Sequence, residues 1–91
     1  MVKRNLYLHI GGEYTLLCSL IVGIFNLEDI KQNQKDMIQF LSGMEKKDFV
    51  EYVSDEVPRS FVMTSERIYF SPISAVTLQK RLKGEDFMNY R

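Results

Sequence analysis

The stretch IYFSPISAVTLQKR, Ile68 to Arg81, begins as an alternating strand, meets a proline between two serines, and continues with helical spacing. Pro72 has no N–H to give to a sheet ladder, so it ends the strand, and Ser74 is placed to cap the helix that follows. On that helix Ala75, Leu78 and Leu82 share one face, while Lys80, Arg81 and Lys83 spread over the other. Gly84 supplies a C-terminal stop. The unit is therefore strand, stop and amphipathic helix. Its basic side complements the helix dipole without any ligand, so it is free for one but does not require it.

Working backwards, SFVMT and RIYF read as a hairpin turning at Ser65-Glu66, preceded by the loop SDEVP and a short strand FVEYV, Phe49 to Val53. A helix is expected from about Gln34 to Lys47, with Asn33 as N-cap and Asp36 three residues on. At 100° per residue Met37, Phe40, Leu41 and Met44 form one stripe, read as core, with Lys35, Gln39, Ser42 and Lys46 opposite. Gly43 within it costs about 1 kcal/mol relative to alanine. At the other end of the chain Leu6, Leu8 and Ile10 alternate with Tyr7 and His9, and Gly11-Gly12 provides the turn of a first hairpin. LIVGIF is apolar on both faces, with Leu20, Val22 and Ile24 pointing one way and Ile21 and Phe25 the other. Such a strand wants cover on both sides, and in a chain this small one cover is a second subunit.

The 91 residues make one domain, residues 1–91, whose composition (45% hydrophobic, 26% charged) is that of a folded chain. The expected fold is α+β: a small antiparallel sheet of about five to six strands, one long helix and one short C-terminal helix. Twelve Lys and Arg balance twelve Asp and Glu, six of each sign in either part of the chain divided after Val50. No basic arm is present, so a mixed solvated surface competes with a nucleic-acid footprint.

Cys18 is the single cysteine, read as a small buried residue, and it points to a reducing compartment. Met1 to Gly12 lacks the apolar core of a secretory signal, and Leu16 to Phe25 is far short of the ~20 residues a membrane span needs. A cytoplasmic protein, not membrane-bound, is expected. His9 has no metal-spaced companion, and Cys18 with His9 lacks a third group to orient the imidazole. Gly11-Gly12 lacks phosphate-loop spacing. The pairs Glu28-Asp29 and Asp55-Glu56 read as solubilising loop residues. No enzyme activity, metal or cofactor is expected.

Taken together, YLHIGGEYTLLCSLIVGIFNLE, FVEYVSDEVPRSFVMT and IYFSPISAVTLQKR resemble the small bacterial family of extracellular matrix regulators, the RemA and RemB proteins, with the closer likeness to the RemB branch. The likeness runs from Leu6 to Arg81, and its specific marks are the HIGG start, the PRSFV hairpin entry and the SPIS-x-x-TL-x-KR end. It implies a role in switching on biofilm matrix genes, with the RemA branch acting as a DNA-binding transcription regulator assembled as a ring of identical subunits. Relatives of that branch carry basic residues before the strand matching IVGIF and ahead of the hairpin, where this chain has Leu20 and Asp55-Glu56.

Two classes of function follow. One is a homo-oligomeric regulator that holds double-stranded DNA through Arg59, Arg67, Lys80 and Arg81, with subunits meeting at Leu20, Ile21, Val22, Ile24 and Phe25. The other is an oligomeric protein-interaction or scaffold module that binds no DNA.

Overall fold

The computed structural model describes residues 6–29 and 34–84. In chain order these form β1 (Tyr7–Gly11), β2 (Tyr14–Leu17), β3 (Ile21–Asn26), α1 (Lys35–Lys46), β4 (Val50–Tyr52), β5 (Ser60–Thr64), β6 (Ile68–Ser71) and α2 (Ala75–Lys83). Single 3-10 turns, Cys18–Leu20 and Leu27–Asp29, flank β3.

The α+β class and both helices stand, but the single antiparallel sheet does not. Among the described residues the strands divide into a β1–β2 hairpin and a four-stranded sheet in the order β3-β5-β6-β4. That sheet is mixed, because β4 lies parallel to β6. The ladder between them begins with Ile68 N–H donating to the Phe49 carbonyl (2.8 Å) and ends with Val53 N–H donating to the Phe70 carbonyl (3.1 Å). Three residues of VEY carry no mark of direction, since alternation is the same for either polarity.

The sheet's two faces bury different things. On one, Val62 of β5 joins Leu8, Ile10, Val53 and Leu78, flanked by Ile21, Ile24, Cys18 and Leu82, so β1, β2 and α2 cover this side. On the other, Phe61, Ile68 and Phe70 are covered by Met37, Leu41 and Met44 of α1. Two hydrogen bonds join elements on the first side: Ser71 Oγ donates to the Ile10 carbonyl (2.6 Å), and Ser60 Oγ to the Ile73 carbonyl (2.7 Å). Both serines are fully buried.

The α1 helix is one residue shorter at each end than its periodicity implies, an ordinary boundary difference. The Asn33 cap lies outside the described residues. Met37, Leu41 and Met44 pack as expected, but Phe40 is exposed, as is Ile38. No residue of α1 is fully buried, so the helix lies shallowly on its sheet. By contrast α2 follows its sequence closely. Ser74 Oγ accepts from Thr77 N–H, Ala75 and Leu78 are buried, and Gly84 takes the left-handed conformation at φ 81°.

A bulge between Ile21 and Gly23 corrects the reading of LIVGIF. Strict alternation would put Ile21 and Ile24 on opposite faces, yet both pack on the Val62 side. An extra residue in one strand shifts which side chains share a face.

Two glycines test this packing in opposite directions. Gly12 has φ 54°, and a Cβ there would sit 2.6 Å from the Val53 carbonyl oxygen, whereas a Cβ on Gly43 would meet nothing within 4 Å. Gly12→Ala is expected to destabilise the fold by about 2–4 kcal/mol, through left-handed strain and a backbone clash. Gly43→Ala is expected to stabilise it by about 1 kcal/mol. Urea denaturation of both variants checks the pair of signs.

Candidate nucleic-acid interface

The four basic residues singled out from sequence occupy three separate places. Arg59 immediately precedes β5, where its N–H donates to the Ser71 carbonyl (2.8 Å). Arg67 immediately precedes β6, beside Thr64, so the two arginines stand at opposite ends of the β5–β6 hairpin. A five-residue strand separates them by about 17 Å at ~3.3 Å per residue. Lys80 and Arg81 lie on α2, where Arg81 Nη1 reaches the His9 carbonyl of β1. One subunit therefore does not gather Arg59, Arg67 and Arg81 into one patch.

Each of these arginines already has an acceptor within the chain. Arg59 Nε donates to Glu28 Oε2 at 3.2 Å, and both side chains are about half exposed. Arg67 Nη1 donates to the Asp48 carbonyl (3.1 Å) and lies 3.6 Å from Glu51 Oε1. Arg81 Nη1 donates to the His9 carbonyl at 3.2 Å. Lys80 and Lys83 are exposed.

The Arg67 contacts belong to a strut between the sheets. Tyr14 OH on β2 donates to Glu51 Oε2 on β4 at 2.6 Å, and the Tyr14 ring lies against Tyr69 of β6. Asp48, whose carbonyl Arg67 holds, has φ 63°, a left-handed conformation uncommon for non-glycine residues but one that aspartate adopts more readily than most. Sequence reasoning missed this cluster. Tyr14 and Glu51 are 37 residues apart and carry no local motif.

Of the residues expected at a subunit interface, the structure leaves Leu20, Val22 and Phe25 exposed. Ile21 and Ile24 are half-buried against the chain's own core, so they are not available in the same way. Val22 is the most open of the five at 67%. The Phe25 ring stacks on Phe61 (centroids 4.8 Å apart) and lies over Gly23, where a Cβ would meet it at 2.8 Å. β3 is an edge of the four-stranded sheet and has β5 as its strand neighbour there.

His9 is exposed, and its Nε2 lies 2.9 Å from the Gly12 carbonyl. Cys18 is half-buried rather than buried, and that burial pushes its thiol above the usual range. Among the described residues no group of three His, Cys, Asp or Glu side chains is arranged to hold a metal ion, and no helix is long and apolar enough to cross a membrane.

These features define a small α+β fold with an uncharged edge strand and dispersed cations. No family model matches the chain. It is 36% identical over 76 residues to extracellular matrix regulatory protein B of Bacillus subtilis (strain 168), an alignment covering 84% of this chain and 89% of that protein. The chain belongs to the extracellular matrix regulatory protein family, as its HIGG, PRSFV and SPIS segments imply.

The strut has an alkaline signature. The hydrogen bond to Glu51, then desolvation, raises the Tyr14 pKa above its ordinary 10.0. A proton held more tightly in the folded state adds stability that is fully present below the unfolded pKa and is lost as pH rises through the folded one. Wild-type stability is therefore expected to fall above pH ~10, and Tyr14→Phe to show a shallower fall in urea titrations across that range. An equal slope in the variant would mean that the hydroxyl contributes nothing to alkaline unfolding.

Proposed function

We propose that this chain is a non-catalytic bacterial regulator of extracellular matrix (biofilm) gene transcription, working in the cytoplasm as a homo-oligomer that holds duplex DNA by its phosphates. The observation that carries the reading is the 36% identity to a protein named as an extracellular matrix regulator, over nearly the whole of that protein's length. Surface features support the finer steps. A six-residue edge strand, IVGIFN, carries no charge and no proline, and it exposes Val22 and Phe25. The bulge between Ile21 and Gly23 blunts the start of this edge, and a second copy of the chain is assigned as the cover for the remainder.

The net charge of zero calls for this assembly in the DNA reading. One neutral subunit with a single arginine at each place binds a polyanion weakly. Copies in a closed ring repeat each arginine around a rim, so that modest contacts add across many phosphates. Arg59, with Lys80 and Arg81 on α2, is the set assigned to this contact. Arg67 and Arg81 contribute to it only at a cost, because a phosphate would have to draw them from the Asp48 and His9 carbonyls.

A second reading is favoured by the internal acceptors of Arg59, Arg67 and Arg81: an oligomeric interaction module that binds protein and not DNA. Fluorescence anisotropy of a labelled duplex across a salt series separates the two. The DNA reading expects binding whose logarithm falls linearly with log salt, with a slope that Arg59→Ala lowers by about 0.9 for each contacting subunit. Flat anisotropy at low salt would leave the interaction module.

Assembly has its own check. Val22→Glu places a charge on a side chain already in water, and is expected to reduce the light-scattering mass to that of one chain while leaving the circular dichroism spectrum unchanged.

A further inference from the structure

The three arginines of the described residues are held in different ways, and the difference matters for a phosphate ligand. Arg67 and Arg81 donate to the backbone carbonyls of Asp48 and His9, and Arg67 Nη1 also lies 3.6 Å from Glu51 Oε1. Arg59 is met by a carboxylate, Glu28 Oε2, at 3.2 Å from its Nε. Both side chains of that pair are about half exposed, so a phosphate can approach the guanidinium without any rearrangement of the core.

Glu28 is set in place by the fold rather than by chance. The β3–β5 ladder runs to Asn26↔Ser60 and is extended by the Leu27 N–H donating to the Arg59 carbonyl at 3.0 Å. Asn26 Oδ1 then accepts from the Glu28 N–H at 2.8 Å, turning the chain back at the start of the 3-10 turn. The two backbones are thus joined one residue before Glu28 and at Arg59 itself. Their side chains form a cross-strand ion pair at the end of the sheet, separated by 31 residues in sequence.

We infer that Glu28 is an intramolecular competitor for the phosphate site at Arg59, an autoinhibitory contact that lowers the affinity of each subunit for duplex DNA. The inference rests on the DNA reading of Arg59 given above. A phosphate oxygen and the Glu28 carboxylate want the same guanidinium N–H, and once displaced the carboxylate still repels the phosphate nearby. An exposed pair of this kind is weak, so the attenuation is about two- to fivefold per contact. Repeated over the copies of a ring, those factors multiply. The contact would therefore act as a threshold on local subunit number more than as a lock on any one subunit.

The test uses anisotropy with a labelled random-sequence duplex and the full chain as wild type, Glu28→Gln, Glu13→Gln, Arg59→Ala and the Glu28→Gln/Arg59→Ala double variant. Glu13, exposed at the first hairpin turn, controls for the loss of one negative charge anywhere on the surface. The expected result is that Glu28→Gln tightens binding at least twofold beyond Glu13→Gln, that the gain shrinks as salt rises, and that it vanishes when Arg59 is alanine. Wild-type binding with Glu28→Gln no tighter than Glu13→Gln, or a gain that survives in the double variant, overturns the competitor role and leaves the DNA reading standing. If neither wild type nor Glu28→Gln binds at low salt, the DNA reading fails and the competitor role falls with it.

Discussion

Four aromatic rings at paired positions tie the central sheet together: Phe25 on β3, Phe61 on β5, Phe70 on β6 and Tyr52 on β4 are successive partners across all four strands. Their centroids lie 4.8, 6.0 and 4.8 Å apart along the row. Such pairs contribute about 0.5–1.5 kcal/mol each beyond the area they bury. The row fixes register, because a one-residue slip of any strand would send its ring to the opposite face. It also provides the floor on which α1 rests, through Met37, Leu41 and Met44. At both ends the row runs out into water, at Phe25 and at Tyr52.

The other face has a different logic. There Val62 is the sheet's contribution to a small aliphatic core, and the covering hairpin and α2 are oriented by polar contacts: Ser71 to Ile10, Ser60 to Ile73, Tyr14 to Glu51. Buried hydroxyls with short, satisfied hydrogen bonds specify one arrangement where apolar contact alone would allow several. The close approach of Gly12 to the Val53 carbonyl belongs to the same fit. With one face ordered by rings and the other by hydroxyls, the β5–β6 hairpin is the element both depend on. Its ends carry Arg59 and Arg67, so the charged positions inherit the precision of the sheet.

Charge on this domain is therefore local in effect although it sums to zero. Arg67 pins the Asp48 carbonyl beside the Glu51 carboxylate, Arg81 donates to the His9 carbonyl, Arg59 faces the Glu28 carboxylate, and Lys80 and Lys83 remain at the exposed side of α2. From sequence all of these were equivalent cations, and Glu28 was only a solubilising loop residue. What separates them is which acceptor the fold brings within about 3 Å, and those acceptors come from 19 to 72 residues away. No spacing rule reaches that far.

Local chemistry determined much of the molecule. Pro72 and Ser74 set the end of a strand and the start of a helix, Gly84 its stop, Gly11-Gly12 a hairpin, and the HIGG, PRSFV and SPIS segments the family. The proline, the serine and the glycines act through their own backbone torsions or a neighbour within a few residues, so sequence carries their effect. Only the tertiary structure decided the division into two sheets, the parallel β4–β6 pair, the bulge that turns Ile21 and Ile24 to one side, and the exposure of Phe40. Strand polarity, bulges and the depth at which a helix lies are settled by packing between distant segments. Alternation and helical periodicity are blind to them, because a strand reads the same in either direction and a stripe does not say how deeply it is covered.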